Sequence, residues 1–179
     1  MKNSVWLVFL LVAPLHALAQ EHQSPYTGQE AREIKALSQD EIQAYLTGQG
    51  MALAKAAELN QYPGPLHVLE LAAQLQLTEA QKLQTQRIRA AMLKEATNLG
   101  KLIVEKEREL DALFATGKID ESTLRTLVGD ISRLQGELRT AHLRAHLELK
   151  RILTPEQIKR YTELRGYEGK EAGAQHGGH

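Results

Sequence analysis

The feature that most constrains this chain is a five-residue phrase that occurs twice, Leu77-Thr78-Glu79-Ala80-Gln81 and Leu153-Thr154-Pro155-Glu156-Gln157. Each copy reads as a helix start. A threonine hydroxyl accepts from the backbone N–H three residues on, and the glutamine at that position returns a bond to the threonine N–H. In the second copy Pro155 takes the first helical position, where no N–H is needed. Leu153 is then placed to staple onto Ile158. The phrase is a folding signal and carries no chemistry of its own.

Between the copies lie two long amphipathic segments joined by Thr116-Gly117-Lys118. The first is expected to run from about Glu79 to Ala115, roughly 55 Å at 1.5 Å per residue. Ile88, Met92, Leu99, Ile103 and Leu110 draw its apolar seam. Gly100 interrupts it at a cost of about 1 kcal/mol relative to alanine, which points to a close helix neighbour or a bend. Ile119-Asp120 opens the second segment, with Asp120 as cap and Ile119 set to staple onto Leu124. Its seam is Leu127, Ile131, Leu134, Leu138, Ala141, Ala145, Leu149 and Ile152. Two such helices joined by a short glycine turn lie antiparallel. Leu83, Val104, Leu143 and Leu147 fall off the seams, so the front half, a second copy or a client must cover them.

The paired phrases, the hairpin between them and the Ile158-Lys159-Arg160-Tyr161 that follows resemble the Spy/CpxP family, known by its LTxxQ motif and linked with heavy-metal resistance. The resemblance covers about Leu77 to Tyr167. It implies an all-α protein of the periplasm, a cradle-like homodimer, and an ATP-independent chaperone or envelope-stress activity toward unfolded clients. Its alternative implication is a Zn or Cu binding resistance or sensor protein.

The N-terminus agrees with export. Met1-Lys2-Asn3, an apolar run from Val5 to Leu15 and Ala17-Leu18-Ala19 read as a signal peptide cut before Gln20. Cleavage removes Lys2, taking the net charge from +0 to about −1, and near-neutrality argues against nucleic acid. No cysteine is present, so neither a disulfide framework nor a thiolate site is available. Domains are expected at 1–19 (signal peptide), 20–76 (helical arm), 77–166 (hairpin core) and 167–179 (Gly/His tail). In the arm, Thr27 to Glu30 and Ser38 to Glu41 are further capping boxes. They predict helices from about Gln29 and from about Gln39, the latter stopping near Gly48. Met51 to Leu59 is helix-prone, and Pro65 starts a further helix to about Gln76.

Three groups of residues are candidates for function. His142 and His146, four apart on one helix, share a face and can reach one metal ion; the plainer account is partly buried histidines lining a seam. His176 and His179 in the glycine-rich tail, similar to a family member's metal-binding tail, form the second group: short histidine tracts take Zn²⁺ or Cu²⁺, and the plainer account is a disordered tail with incidental histidines. Arg87, Lys94, Lys101 and Arg108 repeat every seven residues on the side of the first helix that also carries Leu83 and Val104. That row is either a solvated face or a mixed client-binding surface of cations and apolar groups. No G-x-S-x-G, H-E-x-x-H or phosphate-cradling loop is present, and no residue reads as a nucleophile or general base, so an enzyme is not expected.

Overall fold

The computed structural model describes residues 24–167; the stretch expected to be a signal peptide and the histidine-bearing tail lie outside the described residues. The described residues form helices and no strand: α1 (Gln39–Thr47), α2 (Lys55–Glu58), α3 (Pro65–Glu70), α4 (Glu79–Ala115), α5 (Glu121–Lys150) and α6 (Pro155–Leu164). The protein is all-α, with a long helix pair and shorter helices beside it.

The hairpin forms as its caps dictate. Thr78 and Thr154 accept from the N–H groups of Gln81 and Gln157, and both glutamines bond back to the threonine N–H at 3.0 Å. Asp120 caps α5 by accepting from the Thr123 N–H at 2.7 Å. The α5 seam from Leu127 to Leu149 is buried as expected, while Ile152 beyond it is half-covered. On α4 the seam is thinner: Ile103 is buried with Ala96 and Gly100, while Ile88, Met92, Leu99 and Leu110 are half-covered.

From Ile34 onward the chain does not stand off as an arm; it packs against the hairpin. Ile34, Leu37 and Ile42 bury against Val104, with Tyr45 and Leu46 beside them. The close neighbour that Gly100 was expected to serve is α1: a β-carbon there would overlap the Tyr45 carbonyl. The Ser38 capping box forms, and α1 stops at Gly48, whose φ of 67° suits glycine.

Three arm expectations are corrected. No helix starts at Gln29. Turns and bends run from Pro25 to Leu37 instead, and Thr27 hydrogen-bonds back to the Ser24 carbonyl rather than capping forward. Further on, the Lys35 N–H goes to the Asp111 carboxylate at 3.2 Å, so a long-range partner takes a donor that a helix would have used. The Met51–Leu59 helix shrinks to Lys55–Glu58, because Met51 and Ala52 adopt φ of 39° and 59°. The α3 helix ends at Glu70, and turns carry the chain to Gln76, itself at φ 49°.

At the open end of the hairpin Val68, Leu75, Leu77, Leu149, Leu153 and Tyr161 form one cluster. The leucine of each repeated phrase is therefore core. Both phrases meet here, and this cluster ties the Val68–Leu75 stretch to the hairpin and α6.

Candidate functional site

A groove with a volume of about 820 Å³ opens between the arm and the hairpin. That volume lies within the range of small-ligand clefts. One wall is the Thr47–Lys55 segment with Glu58 and Leu59 of α2. The other includes Leu66 and His67 of α3, with Arg89, Met92 and Leu93 of α4. His142 and His146 of α5 close the base, and Arg165 and Tyr167 stand at its C-terminal side. Much of the wall is apolar, so water there is readily displaced by an apolar group. Lys55 and Arg89 face the same space, and neither has a carboxylate within 4.0 Å among the described residues.

The two histidines that sequence spacing paired are both buried in the base of this groove. His146 Nδ1 lies 2.7 Å from the Tyr62 carbonyl, an acceptor only, so Nδ1 carries a proton there. His142 Nε2 is buried without any hydrogen-bond partner. Burial, followed by the neighbouring His146, holds the His142 imidazole below its ordinary pKa, so it is the neutral form that sits there. Lys150, one turn beyond His146, is drawn onto the Tyr62 ring at 3.7 Å from its centroid.

A carboxylate that sequence reading missed comes from α2. Glu58 Oε2 lies 3.7 Å from His146 Nδ1. Its Oε1 accepts from the hydroxyls of Tyr161 and Tyr167 and lies 3.5 Å from Arg165. Burial first, and Glu58 second, push the Tyr161 phenol far above its ordinary pKa, so it stays a donor. Glu58 is 88 residues before His146 in the chain, and no local signal links them. Even with Glu58, no group of three His, Asp or Glu side chains among the described residues is arranged to hold a metal ion. A borderline divalent ion such as Zn²⁺, which asks for three or four such donors, therefore does not fit this chain's described residues alone.

The basic row divides. Arg87, Lys94 and Lys101 are exposed without ion-pair partners among the described residues, and Leu83 is exposed beside them. Val104 is withdrawn from that surface: it lies 3% exposed beneath Ile34, Leu37 and Ile42. Arg108 is engaged as well, its Nη2 3.0 Å from Glu33 of the arm. The arm thus supplies the cover that the sequence left open for Val104. Leu143 is half-buried and Leu147 exposed. His176 and His179 lie outside the described residues.

No curated protein and no solved structure matches the chain. A family model described as heavy-metal resistance matches residues 5–160, which takes in most of the N-terminal segment, the whole hairpin and the start of α6. On that match the chain belongs to the heavy-metal resistance family, a Spy/CpxP-like family.

Proposed function

We propose that this protein is an exported, non-enzymatic factor of heavy-metal stress that holds non-native protein segments in the periplasm without ATP. The observation that carries this reading is the open groove with apolar walls and the unpaired cations Lys55 and Arg89. An unfolded, acidic or mixed segment loses water from its apolar side chains there and meets positive charge at the rim. The exposed row of Leu83, Arg87, Lys94 and Lys101 extends the same chemistry along α4. Such contacts are weak one by one and reversible, and salt screens the charged share within about 10 Å at 0.1 M. Leu83, Leu102, Val128 and Leu147, each close to half exposed on the hairpin, also suit a homodimer.

The test is aggregation of an unfolded client with the mature chain from Gln20, run in zinc and then in chelator across a salt series. Suppressed aggregation near one chain per client, fading as salt rises, is the expected result. Client aggregation that proceeds unaltered under all these conditions removes the reading.

A second reading has its own observation. His142 Nε2, buried beside His146 without a hydrogen-bond partner, is an imidazole nitrogen not committed to the fold. On this reading the protein takes up a metal ion and shares in resistance by sequestering or sensing it. His176 and His179 of the tail are further donors for Zn²⁺ or Cu²⁺. No cofactor is required for the client-holding reading.

A further inference from the structure

The groove wall that carries α2 is attached to the rest of the molecule at few points. Among the described residues, the backbone hydrogen bonds donated from Leu53 to Tyr62 all end on carbonyls between Gly50 and Ala57, so the stretch folds on itself. No residue from Met51 to Tyr62 is buried. Leu53, half-covered beside the core of Ala96, Ile103, Leu134 and Leu138, roots the stretch there. Left-handed backbone brackets it, with Met51 and Ala52 at φ of 39° and 59° on one side and Gln61 at 62° on the other. L-residues in that region are strained and stay there only where surrounding contacts hold them. A few element-terminal positions able to absorb a change of backbone angle are what a hinge requires.

One carboxylate holds the far end. Glu58 has only 14% of its side chain exposed, although α2 contains no buried residue. Its Oε1 accepts from the hydroxyls of Tyr161 and Tyr167, the latter at 3.1 Å, and lies 3.5 Å from Arg165 Nε. Arg165 in turn donates to the Tyr167 hydroxyl at 3.0 Å, so three groups at the α6 end gather around a single oxygen. Bonds of this kind to an ionised carboxylate are about twice as strong as neutral ones. Gly64 leaves room for them, since a β-carbon there would stand 3.2 Å from Glu58 Oε2. Among the described residues, no other side chain from Ala54 to Asn60 makes a hydrogen bond or ion pair outside the stretch; Asn60 turns back onto the Ala56 carbonyl.

We propose that residues 54–60 form a hinged flap on the groove, latched by Glu58 onto Tyr161, Arg165 and Tyr167, and that its release admits a client segment. With the flap down, the groove of about 820 Å³ is the size of a small-ligand cleft, too short for an extended stretch of chain. Lifting α2 removes one wall and opens the apolar lining of α4 to a longer segment. The stretch keeps its own backbone bonds as it lifts, so the interactions given up are chiefly those of Glu58. Few buried apolar contacts hold it down, which is the condition under which lids open locally while the core stays closed. This inference rests on the client-holding reading and adds a gate to it.

The chain contains no cysteine, so Ala56→Cys on the flap and Arg139→Cys on α5, both at exposed positions, give a unique pair of spin labels. Label-to-label distances are measured in the otherwise unaltered mature chain, with Glu58→Gln and with Gly64→Ala, beside the aggregation of an unfolded client. Glutamine keeps the shape of the latch and removes its charge, whereas the alanine methyl group crowds the carboxylate off its partners. The parent should give one dominant distance. Each variant should add a second, its population raised by about tenfold, the scale of one charge-assisted hydrogen bond. Each should also suppress client aggregation at a lower ratio of chain to client, a gain that mere loss of stability would not produce.

A single unchanged distance in both variants overturns the flap. A second distance with suppression left at the parent's level overturns the gate and leaves client holding in place. If parent and variants alike leave client aggregation unaltered, the client-holding reading fails and takes the gate with it.

Discussion

Gln81 and Gln157, the final residues of the two repeated phrases, hydrogen-bond each other side chain to side chain across the open end of the hairpin. Gln81 Nε2 donates to Gln157 Oε1 at 2.8 Å, and Gln157 Nε2 donates to Gln81 Oε1 at 3.1 Å. Each amide also reaches a backbone carbonyl of the other phrase's neighbourhood, Ile152 for Gln81 and Leu75 for Gln157. With the bonds to Thr78 and Thr154, every donor and acceptor of both side chains is used. The duplicated phrase is therefore a clasp as well as a pair of caps. A glutamate would cap a helix equally well, but it lacks the N–H groups that the clasp requires.

Gln157→Glu isolates the clasp from the cap. The carboxylate keeps the bond to Thr154 but strands the Leu75 carbonyl and faces the Gln81 oxygen. A loss of about 1–3 kcal/mol in urea unfolding follows from leaving part-buried polar groups unpaired. Alanine at both positions, compared with each single change, should show a coupling of about 0.5–3 kcal/mol. Strict additivity would mean that the two amides do not stabilise each other.

Gly100→Ala should destabilise although alanine favours the helix by about 1 kcal/mol. The new methyl group overlaps the Tyr45 carbonyl, so α1 must move off α4. Overpacking of this kind costs about 1–3 kcal/mol. Hydrogen exchange should report it first in Gln39–Thr47, with the Leu134–Leu138 stretch of α5 still protected. Unchanged exchange in α1 would show that the contact is not tight in solution.

How much of this was legible in the sequence differs by kind of information. The hairpin was, because caps at Thr78, Asp120 and Thr154 and a seam of period 3.6 are local signals that tertiary contacts reinforced. The front half was misread where long-range partners overrode local preference. Lys35 gave its N–H to Asp111, and Met51 and Ala52 left the helical region despite helix-prone composition. The site was half visible. His142 and His146 announce themselves by spacing, but Glu58, Met51 and Met92 join them only through the docking of the arm, which no spacing encodes. Val104 and Arg108 looked available for the same reason: the residues that cover and pair them, Ile34, Leu37 and Glu33, lie some 70 positions upstream.

Glu107 gives a pH-dependent test of the arm interface. Half-buried on α4 with no ion-pair partner among the described residues, its carboxyl is raised above the ordinary value by burial. The folded chain therefore holds this proton to higher pH than the unfolded chain, whose carboxyl titrates near 4.3. Between the unfolded and folded pKa values stability falls as pH rises, and above the folded value the whole cost of the buried charge is present. Glu107→Gln should stabilise the protein at pH 7, with the gain shrinking as pH falls from the folded towards the unfolded value and gone below the latter. A gain of the same size at pH 3 and pH 7 would assign the effect to packing rather than charge.

The cations of α4 separate client binding from fold. Arg87, Lys94 and Lys101 are exposed and unpaired, so glutamine at all three should leave unfolding within about 0.5 kcal/mol of the parent. The triple variant should suppress client aggregation less well at low salt and match the parent at high salt, where the charges are screened. Arg108→Gln is the contrast. Its guanidinium is held by Glu33, and its loss should loosen the arm by up to about 1 kcal/mol, the usual worth of an exposed pair. Client suppression should barely change in that variant. If Arg108→Gln impairs suppression as much as the triple change does, the ion pair opens when client arrives, and the arm itself belongs to the binding surface.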